Sequence, residues 1–99
     1  MLDRKTEIIF KKFQFKLKLS NQIVEYSQTL YHDLLEKNSL KYESPYLLVA
    51  ICIFTVSRIE EQSTSLEEIA NISHIREDDL RKCFEMVFDE IQKSLKGIR

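Results

Sequence analysis

Residues 46–56 read YLLVAICIFTV, the longest near-apolar run in the chain. A segment apolar on all sides must be surrounded by other elements in whatever fold it joins. It is too short to span a bilayer, which takes about 20 residues as a helix. Its β-branched and aromatic residues suit either a buried strand or a buried helix. A lone strand is unstable without partners, and no second strand is evident. The chain holds one Gly (Gly97), one Pro (Pro45) and no Trp, far from the turn-rich composition of sheets. Ser44-Pro45 stands just ahead of the run. Ser is a favoured cap, and Pro fits the first helical position, where its missing N–H costs nothing. The run is therefore read as a central helix wrapped by others.

Four further helices supply the wrapping. The first runs from about Leu2 to Lys16, with Phe10, Phe13 and Leu17 facing inward at helical spacing. FQFKLKL also alternates with a period of two, but a strand there would again lack a partner. The second starts at Ser20, whose hydroxyl can accept an orphan N–H. Its buried face is Ile23, Val24, Leu30, Tyr31, Leu34 and Leu35, and it fades at Lys37-Asn38-Ser39. Ser65-Leu66-Glu67-Glu68 is a capping box that opens the fourth. Ser73-His74-Ile75 forms a turn. The fifth begins near Glu77, buries Leu80, Cys83, Phe84, Val87, Phe88 and Ile91, and frays toward Gly97. The whole is expected to be all-α, one domain over residues 1–99, with a core small enough that most apolar side chains serve folding.

Charge separates function classes better than the net value of −1 does. Residues 1–18 carry Arg4, Lys5, Lys11, Lys12, Lys16 and Lys18 against Asp3 and Glu7. Residues 60–90 carry ten acids against Arg76, Arg81 and Lys82. No charged-then-apolar leader opens the chain, and the protein is expected to be intracellular. Cys52 and Cys83 have no CxxC spacing and no histidine at zinc-ligand spacing. They read as buried thiols of a reducing compartment. His32 and His74 lack a nucleophile or ligand set at useful spacing, and one glycine cannot build a phosphate-cradling loop. No enzyme, metal or cofactor is expected.

Residues 65–84, SLEEIANISHIREDDLRKCF, have the layout of a helix-turn-helix. The second helix opens Glu77-Asp78-Asp79. Exposed carboxylates in a first turn stabilise a helix by roughly 0.3–1 kcal/mol each, so they need no ligand. They also repel phosphate, which DNA-binding proteins neutralise with Lys and Arg. Arg76, Arg81 and Lys82 are left for that task, with Arg81 able to reach a guanine edge. On the first helix, Ile8 and Phe15 are seven residues apart and share a face opposite Phe10 and Leu17. Arg4, Lys5, Lys11 and Lys12 ring that pair, a pattern suited to docking an acidic partner.

LSNQIVEYSQTLYHDLLEKNSLKYESPYLLVAICIF, followed by TSLEEIANISHIREDDLRKCFEMV, resembles a cyclin-type repeat of the transcription factor IIB family, including its archaeal counterparts. The resemblance spans roughly Phe10 to Ile91. It is carried by Ile23-Val24, EKNSLK at Glu36–Lys41, TSLEEI at Thr64–Ile69, then Ser73, Ile75, Leu80 and Cys83-Phe84. These are more like the first of that family's two repeats than the second. The resemblance implies a five-helix cyclin-like fold with a buried third helix and a C-terminal helix-turn-helix. Proteins of the family carry a zinc ribbon ahead of two repeats, whereas these residues hold one repeat, as a piece of a longer protein or a shortened paralogue would. Their helix-turn-helix regions help to hold promoter DNA and the TATA-binding protein, with basic residues near the start of the last helix. Here only Arg76 is basic among Arg76, Glu77, Asp78 and Asp79.

The expected function is therefore a factor-IIB-like module in transcription initiation or its regulation, acting mainly through protein contacts. The expected partner is the basal machinery: polymerase, TATA-binding protein or another initiation factor. Promoter DNA is at most a weak contact, and no membrane or small-molecule substrate is expected. Such a module would work in the nucleus of a eukaryote or the cytoplasm and nucleoid of an archaeon. The residues assigned to partner binding are Arg4, Ile8, Lys11, Lys12 and Phe15 on one side and Arg76, Asp78, Arg81 and Lys82 on the other. The alternative is a small dimeric helix-turn-helix DNA-binding regulator, whose dimer would bury Ile8 and Phe15 and match two half-sites.

Overall fold

A computed structural model describes residues 3–36, 44–62 and 64–98. Five helices run in order: α1 (Arg4–Leu17), α2 (Asn21–Leu35), α3 (Pro45–Ile59), α4 (Leu66–Ser73) and α5 (Glu77–Ile98). No strand occurs among the described residues.

Helix ends follow capping chemistry more closely than periodicity. Leu2, where periodicity starts the first helix, lies outside the described residues. Asp3 is the cap: its backbone is extended, and its carboxylate accepts the Thr6 N–H at 2.7 Å. Hydrogen bonding from Thr6, first from its side chain and then from this N–H, holds the Asp3 carboxyl below its ordinary value of 3.8. The cap is therefore complete above that value and is lost as pH falls through the lowered one. At the other end Lys18 turns left-handed at φ 56°, and the Gln14 side chain donates to the Leu19 carbonyl and the Asn21 side chain. The Lys18 and Leu19 N–H groups close the helix on the Gln14 carbonyl, and the Gln14 side chain ties its end to the start of α2. Ser20 caps α2 by accepting from Ile23 N–H at 3.2 Å. Lys37-Asn38-Ser39, the expected end of that helix, lies outside the described residues. Ser44 stands at the cap of α3, but its hydroxyl makes no capping bond; only its carbonyl accepts, from Leu48 N–H. Ser65 and Glu68 form the expected capping box, each satisfying the other's backbone N–H at 3.1 Å. The fifth helix does not stop at Gly97 but continues to Ile98.

The near-apolar run is the centre of the bundle. Leu48, Val49, Ala50, Ile51, Cys52, Ile53 and Val56 of α3 are fully enclosed, and α3 packs on each of the other four helices. Ile9, Phe10 and Phe13 approach from α1, Ile23, Leu30, Tyr31 and Leu34 from α2, Ile69 from α4, and Leu80, Cys83, Val87 and Ile91 from α5. Edge-to-face rings fix two of these joints: Phe10 on Tyr31 at 5.7 Å and Phe13 on Tyr46 at 5.8 Å. Burial pushes the Tyr31 phenol up from its ordinary value, with the Thr6 side chain as its hydrogen-bond partner across to α1.

Two residues expected inside are not. Leu35 is 37% exposed and Phe88 41% exposed. Each follows a buried neighbour, Leu34 or Val87, and the next residue on a helix points about 100° away. In turn, Ser27 and Thr55 are buried, because each hydroxyl donates to the carbonyl four residues back, at 2.7 and 2.9 Å.

Ile53→Ala is expected to cost about 2–5 kcal/mol through a lost contact and a cavity. Leu35→Ala should stay within about 0.5 kcal/mol; urea denaturation followed by circular dichroism compares the two. Cys52 and Cys83 are both buried, no disulfide joins them, and burial raises the Cys52 thiol far above its ordinary value. Neither should react with a thiol reagent in the native chain, and both should react promptly in denaturant. Fast labelling of the folded protein would contradict the packing of α3 against α5.

Candidate functional site

The nine residues assigned to partner binding fall on two separate faces. The first belongs to α1. That helix turns Ile9, Phe10 and Phe13 inward, which leaves the opposite side to solvent. Phe15 is 80% exposed and Ile8 60% exposed. Arg4 and Lys11 are exposed beside them, as are Lys5 and Lys16. Lys12 departs from this group. It is half-buried, with its ammonium 5.3 Å from the centre of the Tyr46 ring. Its charge is thus turned from the patch toward the start of α3.

The second face is the helix-turn-helix. His74 ends α4 in a left-handed conformation at φ 60°, and its N–H closes on the Ala70 carbonyl. Ser73 accepts the Ile75 N–H, so the chain reverses within three residues. Ser73 and Ile75 thus hold the turn, and Arg76 emerges from it exposed. Arg81 does not project freely. Its guanidinium bridges Glu77 at 2.8 Å and Asp78 at 3.1 Å on the preceding turn. Arg81, the residue expected to reach a guanine edge, is therefore engaged by the acids that precede it. Such exposed pairs are individually weak, about 0–1 kcal/mol. Lys82 is exposed on the other flank and lines a cleft with Leu47, Ile75, Asp79, Cys83 and Met86. Of the assigned residues, Asp78 and Arg81 touch, while Arg76 and Lys82 are both exposed.

A third feature was not expected. Between α3 and α5 opens a groove of about 490 Å³, lined by Phe54, Phe84, Phe88, Ile91 and Leu95, with Arg58 and Arg81 at its edges. Phe54 meets Phe84 edge-on at 5.7 Å, Phe84 meets Phe88 at 5.5 Å, and Arg58 lies over the Phe54 ring at 5.5 Å. The signal was present in the spacing. Leu80, Val87 and Ile91 define the inward side of α5, and Phe84 and Phe88, four apart, sit progressively off it.

His32 is exposed and lies 3.5 Å from Glu36, one turn on, and His74 is exposed in the turn. Among the described residues no three His, Cys, Asp or Glu side chains gather as a metal site, and no helix is long and apolar enough to cross a membrane.

The family profile described as "Transcription factor TFIIB repeat" matches residues 4–90. The match begins at the first residue of α1 and ends within α5, so the basic helix is part of the repeat. No curated protein and no solved structure matches the chain. The family is one of transcription factors rather than enzymes, with a cyclin-like all-α fold and a role of the initiation-factor kind. Four helices around an enclosed third helix, matched from the start of the first well into the last, place the chain in the transcription factor TFIIB repeat family.

Proposed function

We propose that the protein acts in transcription initiation or its regulation as an adaptor, through protein contacts with the basal machinery. The polymerase, the TATA-binding protein and another initiation factor are the candidate partners. The observation that carries this reading is the occupied Arg81: its guanidinium spans Glu77 and Asp78 where a DNA reader would present free cations. The exposed Ile8 and Phe15, bordered by Arg4 and Lys11, supply a surface of the opposite kind, apolar and basic. Its complement is an acidic protein surface with an apolar centre. Arg76, Asp78, Arg81 and Lys82 form the second contact face, with mixed charge that suits protein better than phosphate.

Fluorescence anisotropy with duplex DNA tests the negative half of this reading. Weak binding at low salt, lost at physiological salt and blind to sequence, is expected. Tight, sequence-selective binding that Arg76→Ala and Lys82→Ala abolish would replace it with the DNA-binding regulator. The positive half is read with purified polymerase and TATA-binding protein from the same source. Lys11→Glu with Phe15→Ala should weaken the productive interaction at least about tenfold, a loss of about 1.4 kcal/mol. Unchanged binding to every component would remove the α1 face from the proposal.

A further inference from the structure

We infer that the basic face of α1 docks into the α3–α5 groove of a second copy of this chain. The inference uses the α1 face of the proposed function but goes beyond it, since no other protein takes part. The two surfaces each have an apolar centre, and their borders differ in charge. On α1 the apolar ridge is Ile8 and Phe15, bordered by exposed Arg4, Lys5, Lys11 and Lys16. The groove is an apolar trough of about 490 Å³ floored by Phe54, Phe84, Phe88, Ile91 and Leu95. The charged residues of its own lining are Arg58 and Arg81, and acids stand around them. Glu61 and Glu68 line the cleft that shares Arg58 with it. Glu77 and Asp78 neutralise Arg81, and exposed Glu85 and Asp89 flank Phe88 along α5. Of its two bases, Arg58 stands over the Phe54 ring, and Arg81 is held by Glu77 and Asp78.

A helix laid in a groove through residues one or two turns apart is a common recognition mode. Charge complementarity of this kind selects the partner and its orientation. Within one chain α1 packs on α3 and α2 through its opposite side, so its ridge faces away from its own groove. The contact joins two different surfaces. It is heterologous, leaves each copy one unused face, and extends head to tail unless the geometry closes a ring.

Sedimentation of the full chain alone tests this. The mean mass should rise above the 11.8 kDa monomer as concentration increases. Raising salt from about 0.1 to 1 M shortens the screening length from about 10 to 3 Å and should weaken association at least about tenfold. Phe15→Glu and Phe88→Lys, at exposed positions, should each stay monomeric. Their equimolar mixture should form a dimer and stop there, because one intact ridge meets one intact groove. Circular dichroism verifies that both variants are folded, and Glu85→Lys replaces Phe88→Lys if the latter is not. A wild-type chain that stays monomeric throughout overturns the inference. So does a mixture that does not pair, or a groove variant that associates like the wild type, the mark of a two-fold α1–α1 contact. Machinery binding is read separately, with partner present, so either result can fail alone.

Discussion

Everything in this structure depends on enclosing α3. Seven of its side chains, Leu48 to Ile53 and Val56, lose all contact with water, and no single neighbour could cover them. The hydrophobic gain, roughly 25 cal/mol per Å² of apolar surface removed, is available only when four helices surround the fifth. That requirement explains why the chain spends nearly all its large apolar residues inward, so the few left outside stand out. Among the described residues Ile8, Phe15, Leu35, Met86 and Phe88 are the exceptions, and all but Leu35 border the faces discussed above.

The helix-turn-helix is built by the same economy of local bonds. The Ser65–Glu68 box begins α4, the left-handed His74 ends it, and Ser73 locks the turn. None of this needs DNA. The acids at the start of α5 act as first-turn charges on the helix dipole and as clamps on Arg81. The same carboxylates therefore serve the helix dipole and hold the Arg81 guanidinium, and the proposed preference for protein over phosphate rests on that pairing.

How far the faces were legible varied with the physics behind each residue. Ile8 and Phe15 were recognisable because they share a side of α1 that the core cannot use. Arg76, Arg81 and Lys82 were recognisable by charge, but charge says nothing of the pairing that ties Arg81 to Glu77 and Asp78. Lys12 was grouped with the α1 patch by angle. A long flexible stem let it reach Tyr46 instead. Phe88 was assigned to the core because it is aromatic and lies on an amphipathic helix. In the bundle it rims a groove that exists only once α3 and α5 are side by side.

By itself, the sequence determined the helical class, the central place of residues 46–56, the Ser20 and Ser65 caps, and the uneven charge. Each follows from local chemistry: periodicity, a hydroxyl within reach of an N–H, or a count of like charges. Only the tertiary structure decided which apolar residues are left over, where α5 turns Phe84 and Phe88, and which cations are held by neighbours. Those outcomes depend on how two helices meet. A residue's distance from another element is not a property of its own segment, so no reading of one helix at a time can supply it.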